Sequence, residues 1–159
     1  MLPEQWKELW KEFPVVAALE SFDSAAIATG KYDRGELTLE IAPDRIVSIC
    51  GYLKAGQAFV RLSGVTAVDR YPAEPRFEVV YHLHCLERSE RLRLKCRLQT
   101  GAPIESVTGV WRSADWYERE VFDLFGIRFL NHPDLRRIML PEEWEGHPLR
   151  KDYPVMGYK

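Results

Sequence analysis

From Arg91 to Leu98 the chain alternates without a break: Leu92, Leu94, Cys96 and Leu98 fall on one side, and Arg91, Arg93, Lys95 and Arg97 on the other. Period two over this length predicts a β-strand with one buried and one wetted face. Phe77 to Leu86 predicts a second long strand, and the linker Glu87-Arg88-Ser89-Glu90 has hairpin length, so the two pair antiparallel. Glu36 to Ile41 alternates in the same way. Trp6, Leu9, Trp10 and Phe13 recur at helical spacing and predict a helix over Glu4 to Phe13, with Pro3 in its first turn and Pro14 ending it. A turn-rich gap follows, carrying Gly30 and Asp33-Arg34-Gly35. Pro43 opens a second helix, with Ile46, Val47, Ile49, Cys50 and Leu53 on its apolar face and Gly56 closing it. Ala58 to Leu62 reads as a short strand ending at Gly64, and Val65 to Val68 as another, broken by Tyr71-Pro72 and Pro75. Ser113 or Asp115 can cap a third helix from Ala114 to Phe125, stopped by Gly126.

After Gly126 no period is sustained. Pro133, Pro141, Pro148 and Pro154 break the chain, yet Phe129, Ile138, Met139, Trp144 and Tyr153 are not the residues of a disordered tail. Such a segment has no core of its own and must lie on its own domain or on another protein. The expected architecture is α+β: two layers, a mostly antiparallel sheet with an N-terminal helix–strand–helix unit, and an extended C-terminal tail. The boundaries are 1–126 for the globular domain and 127–159 for the tail.

Composition narrows the classes. The 159 residues are 46% hydrophobic and 29% charged, with a net charge of -2, which excludes wholesale disorder and a nucleic-acid binder driven by bulk positive charge. The N-terminus has no apolar core of a secretory signal, and no stretch approaches the ~18 apolar residues of a membrane span. Cys50, Cys85 and Cys96 sit in apolar stretches without CxxC spacing and read as reduced core residues. Three thiols do not make the ligand set of a cluster, for which about four are needed. The cytoplasm is the default compartment.

Candidate chemistry is sparse. His82 and His84 share one strand face and could hold a metal, but with no third ligand at matching spacing they read as solvated histidines. Asp115, Glu118, Glu120 and Asp123 put four carboxylates on the third helix. Acid–base work would need one of them desolvated. Helical spacing instead pairs Arg119 with Asp115 and Asp123, beside an apolar stripe of Tyr117, Val121 and Leu124. There is no GxGxxG, GxxxxGK[ST] or GxSxG. The basic strand face could touch phosphates, but reads as a salt-bridged sheet face.

The tail repeats one theme, His132-Pro133-Asp134-Leu135-Arg136-Arg137 and then His147-Pro148-Leu149-Arg150-Lys151-Asp152-Tyr153. Its arginines suit planar, two-pronged contacts with carboxylates. Here a resemblance enters. Glu118-Arg119-Glu120-x-x-Asp123-Leu124-Phe125, six residues, then His132-x-x-x-Arg136-x-Ile138-Met139 resembles the signature of the thirty-kilodalton (30 kDa) subunit family of respiratory complex I, the proton-pumping NADH:quinone oxidoreductase. Gly146 to Pro154 resembles the family's C-terminal block, and Arg76 to Leu83 and Pro103 to Trp111 are similar too; the likeness spans roughly residues 30–154.

The resemblance implies a non-catalytic scaffold of the hydrophilic arm, with no catalytic, cofactor or metal residues in this chain. FMN and iron–sulfur clusters are then expected on partner subunits. The implied partners are chiefly the forty-nine-kilodalton (49 kDa) subunit and neighbouring iron–sulfur subunits, on the cytoplasmic side of a bacterial inner membrane. It implies that Glu118, Arg119, Glu120 and Asp123 anchor the third helix to the tail or a partner, and that His132, Arg136, Arg137, His147, Arg150, Lys151 and Tyr153 pin the tail. The same fold in an energy-converting hydrogenase, or in a dehydrogenase fed by ferredoxin or a deazaflavin, is the alternative parent.

Overall fold

Strand β5 (Glu90–Leu98) lies at the centre of a five-stranded sheet, its alternating residues facing the core on one side and the wetted face on the other. In this computed structural model, which describes residues 10–158, the order is β1-β2-β5-β4-β3. β1 (Ile27–Asp33) and β2 (Glu36–Ile41) form one antiparallel hairpin, β4 (Phe77–Cys85) and β5 another, and β3 (Arg61–Asp69) closes the far edge against β4. The one parallel joint in this sheet is β2 with β5. The chain leaves β2 through a 3-10 turn at Pro43–Arg45 and helix α2 (Ile46–Gly56), and lands on β3. The β4–β5 hairpin then fills the gap. A parallel return needs such a crossover; a tight turn cannot make it.

One sheet face carries Leu37, Leu39, Leu94, Cys96, Val79 and Tyr81, all buried against Val16 and Leu19 of α1 (Pro14–Phe22) and Ile49, Cys50 and Leu53 of α2. Helix α3 (Ala114–Phe125) packs beside β3. Burial pushes the thiols of Cys50 and Cys96 well up, and all three cysteines are unpaired. The opposite face is wetted and laced by ion pairs: Arg93 with Glu36, Lys95 with Glu78 at 3.2 Å, and Arg97 with Glu40 at 3.1 Å.

Along the chain the structure differs from the sequence reading. Pro14 opens α1; at a first helical turn proline loses no hydrogen bond. The expected helix over Glu4–Phe13 lies mostly outside the described residues. The turn-rich gap contains β1, folded back on β2 through Arg34 and Gly35, both at positive φ. The two short strands around Gly64 are one strand, β3, because Gly64 sits at a bulge in the pairing with β4.

The tail starts inside the core. Ile127 and Phe129 are buried, and β7 (Phe129–Leu130) pairs in parallel with β6 (Ile104–Glu105).

Candidate functional site

Helix α3 joins the globular part to the tail. Its buried positions are Ala114, Glu118, Val121 and Phe125 along one stripe, with Arg119 and Asp123 beside it. Two carboxylates and a guanidinium are thus inside the protein, where each needs partners. The expected apolar stripe is accordingly only half right: Val121 is buried, whereas Tyr117 and Leu124 are half-buried. Gly126 ends the helix at φ 73°, its N–H donating to Phe122 O at 2.8 Å. A Cβ at this position would come within 2.6 Å of Arg150 Nη2 and His147 Cδ2, so only glycine lets the tail's second pass close over the helix end.

Asp123 is the centre of the arrangement. Its Oδ2 accepts the backbone N–H groups of Ile138, Met139 and Leu140 at 3.1, 2.7 and 3.0 Å, and Oδ1 accepts Arg137 Nη1 at 2.7 Å. Burial alone pushes this carboxyl up. The three N–H groups and Arg137 outweigh that and hold it below the usual carboxylate range. Arg137 also donates to Gly146 O at 2.9 Å, linking the two passes of the tail. His147 Nδ1–H donates to Asp123 O at 2.8 Å; burial, with Arg150 and Arg137 nearby, pulls this imidazole below its ordinary value. Arg150 Nε donates to Phe125 O at 2.6 Å, and Leu149 N–H to Leu124 O at 3.0 Å. These contacts satisfy carbonyls that the helix end leaves open.

Arg119 does not pair with Asp115 or Asp123 as helical spacing suggests. It donates to the carbonyls of Arg136 and Arg137 at 3.2 and 3.4 Å, and its guanidinium lies over the Trp116 ring. Asp123 is already filled, and the tail carbonyls arrive on the Arg119 side.

Glu118 and His132 form a second buried group. Ser106 Oγ–H and Val107 N–H donate to the Glu118 carboxylate at 2.6 and 2.8 Å. Burial dominates even so and pushes Glu118 up to about 7, with Asp115 adding to the rise. His132 Nδ1 accepts the Asp134 N–H at 3.0 Å, which leaves the ring proton on Nε2, donated to Asp115 O at 3.1 Å. Glu118 has the proton affinity of an acid–base catalyst, but it is wholly enclosed, so no substrate reaches it.

A third anchor was not legible in the sequence. Arg76 clasps Asp69 with two bonds of 2.8 Å and reaches Asp152 of the tail at 2.7 and 3.2 Å. The Lys151 N–H donates to Asp69 at 2.8 Å. Arg76, followed by the N–H groups of Lys151 and Tyr71, holds Asp69 far below its ordinary value against the pull of burial. Arg76 and Asp152 lie 76 residues apart, so no local spacing could announce them.

Of the remaining residues singled out from the sequence, Glu120 is exposed. Arg136 points outward and bonds only to Asp134 with its side chain; its carbonyl, not its guanidinium, meets α3. Lys151 contributes its backbone N–H. Tyr153 packs its ring against Gly146 and edge-on to Tyr158. His82 and His84 stand half-buried on the wetted face opposite Arg93 and Arg91. No group of three or more His, Cys, Asp or Glu among the described residues could hold a metal.

Comparison with known proteins bears on what this clamp belongs to. The sequence profile described as "Respiratory-chain NADH dehydrogenase, 30 Kd subunit" matches residues 39–159. The C 2 subunit of NADH-quinone oxidoreductase from Rhizobium etli (strain CIAT 652) is 54% identical over 121 residues, covering 75% of this chain and 65% of that protein. The C 2 subunit from Rhizobium meliloti (strain 1021) is 47% identical over 147 residues, covering 91% and 80%. Among solved structures, a chain of the membrane-bound sulfane sulfur reductase, an archaeal respiratory membrane complex, is similar with a TM-score of 0.78 at 27% identity, over 92% of this chain and 87% of that one. The α3 acids, the charged tail and these matches together place the chain in the family of the 30 kDa subunit of respiratory-chain NADH dehydrogenase.

Proposed function

We propose that this chain is the 30 kDa subunit of a proton-translocating NADH:quinone oxidoreductase and serves there as a non-catalytic assembly subunit. The observation that carries this reading is the Asp123 clamp. Fixing a proline-broken segment with buried charges is costly, and it sets the path of a tail whose Met139, Trp144, Leu149 and Met156 remain exposed. Exposed apolar side chains held on a rigid path are what a permanent partner requires. In this reading the tail lies on the 49 kDa subunit and the neighbouring iron–sulfur subunits. NADH oxidation uses FMN, and electrons reach quinone through iron–sulfur clusters, all on other chains. The protein sits on the cytoplasmic side of the bacterial membrane and is held there by the complex; no helix among the described residues is long and apolar enough to cross a membrane.

A tagged full-length chain, recovered from gently solubilised membranes, tests this. The expected result is a large assembly with NADH-dependent quinone reduction, the 49 kDa subunit among its members, and no activity from the isolated chain. The similarity to a chain of an archaeal respiratory membrane complex supports keeping a second parent as the alternative, an energy-converting hydrogenase or a dehydrogenase fed by ferredoxin or a deazaflavin. An assembly that ignores NADH would favour that parent, and recovery of the chain alone would overturn both.

A further inference from the structure

One end of the wetted sheet face departs from the charge matching seen elsewhere on it. Arg61 of β3, His84 of β4 and Arg91 of β5 stand directly across from one another in register. Neighbouring strands are ~4.8 Å apart, so the two arginines start about 10 Å from each other with the imidazole between them. Like charges about 10 Å apart with no counter-charge between them repel, though more weakly than a directly opposed pair. Further along β5, Arg93, Lys95 and Arg97 each have a glutamate. Among the described residues neither Arg61 nor Arg91 has a carboxylate within ion-pair distance, and both are exposed.

The next row forms the floor of a groove. Gly64 stands opposite His82, and a Cβ built on Gly64 would meet nothing within 4 Å. Beside this row, where Ser63 is the extra residue of the bulge, lies a groove of about 360 Å³ whose lining includes Arg61, Ser63, His82, His84, Arg91 and Arg93. Its one acidic lining residue, Glu36, is held by Arg93. Glu87 and Glu90 belong to the hairpin beyond the groove, with Glu90 bound to Arg88. Burial, and after it the Arg93 charge, pulls His82 below its ordinary value, with Glu36 opposing.

We propose that the Arg61–His84–Arg91 row and its groove seat an acidic segment of a neighbouring subunit. The inference rests on the assembly reading above and adds to it a second docking face, distinct from the tail. Charge complementarity names the partner's chemistry: carboxylates supply the counter-charge that this row lacks on a chain whose net charge is -2. The surroundings favour a protein over a free phosphate. Val60 and Leu86, next in sequence to Arg61 and Cys85, are 51% and 54% exposed, and arginine among exposed apolar side chains is the composition of an interface core.

The test replaces Ser63, an uncharged groove residue, with a photo-crosslinking amino acid in the full chain and recovers the assembled complex. The expected product joins this chain to a peptide of another subunit bearing at least two Asp or Glu. Arg61→Glu with Arg91→Glu should remove that product and lower recovery of the complex by roughly tenfold or more at low salt. Arg61→Lys with Arg91→Lys should retain both, and reversing the charges of the cross-linked peptide should rescue the Glu variant. Arg61→Gln with Arg91→Gln gives the same reading without reversed charge if the Glu variant does not fold. A neutral or basic peptide, a lipid adduct, or recovery unchanged by charge reversal would overturn this inference and leave the assembly reading standing. Failure of the wild-type chain to enter any complex would overturn both.

Discussion

Asp123→Ala removes the acceptor of four donors at once: the N–H groups of Ile138, Met139 and Leu140, and Arg137. A buried backbone N–H left without a partner costs about 1–3 kcal/mol; these three are partly buried, so ~3–9 kcal/mol is the upper limit if nothing moved. Arg137, only 13% exposed, would also lose its counter-ion, a further ~3–5 kcal/mol. The tail need not accept that sum, because lifting residues 136–150 off α3 returns every group to water. The observed loss is therefore capped at the free energy that holds the tail down. We expect a drop of at least ~3 kcal/mol in the opening free energy of this segment, about a hundredfold faster amide exchange. Native-state hydrogen exchange at Ile138, Met139 and Leu140 measures it, with Leu94 and Cys96 of the central strand as unaffected controls. Asp123→Asn keeps one oxygen for the N–H groups but turns a donor toward Arg137, and should fall between. Because the Asp123 carboxyl is depressed in the fold, its contribution is present above its ordinary value of 3.8 and is lost as pH falls through the folded value. Exchange at the three amides that stays within about threefold of wild type in the alanine variant would refute the clamp.

Other consequences can be checked alongside. Glu118 rises from 4.5 unfolded to about 7 folded, so it costs stability progressively as pH climbs between those values, up to ~3 kcal/mol. Urea unfolding of Glu118→Gln at pH 5 and pH 8 should show that part of the slope gone; an unchanged slope would mean that the carboxyl is not buried as described. Gly126→Ala should cost about 1–2 kcal/mol for the left-handed backbone alone and more for pushing Arg150 and His147 aside, read as a lower thermal midpoint with faster exchange at Leu149. Arg76→Ala strands the buried Asp69 and should cost about 3–5 kcal/mol. Arg136→Ala removes only an exposed pair with Asp134 and should change stability by less than ~0.5 kcal/mol. If the two variants unfolded alike, the division between clamp and surface arginines would be wrong.

The sequence by itself determined β2, β4, β5, α2 and α3, because each shows its period within one short window. The pairing of β4 with β5 also followed from their hairpin linker. Gly126 as the stop of α3 was legible for the same reason: a left-handed residue is a local matter. Proline and glycine mislead where their effect depends on position. Pro14 follows one helix end, as expected, and also opens the next helix, and Gly64 has the look of a strand end but lies beside a bulge within β3. The charged residues of α3 and the tail could be singled out as a set, but not paired. Helical spacing assigns Arg119 to neighbours on its own helix, while tertiary structure brings it tail carbonyls and gives Asp123 the loop N–H groups. Only the folded chain sets Arg76 between Asp69 and Asp152 and aligns Arg61, His84 and Arg91 across three strands. The physical reason is range: periodicity and turn chemistry act over a few residues, whereas the partner of a buried charge is chosen by whatever the fold brings within about 3 Å, at any distance along the chain.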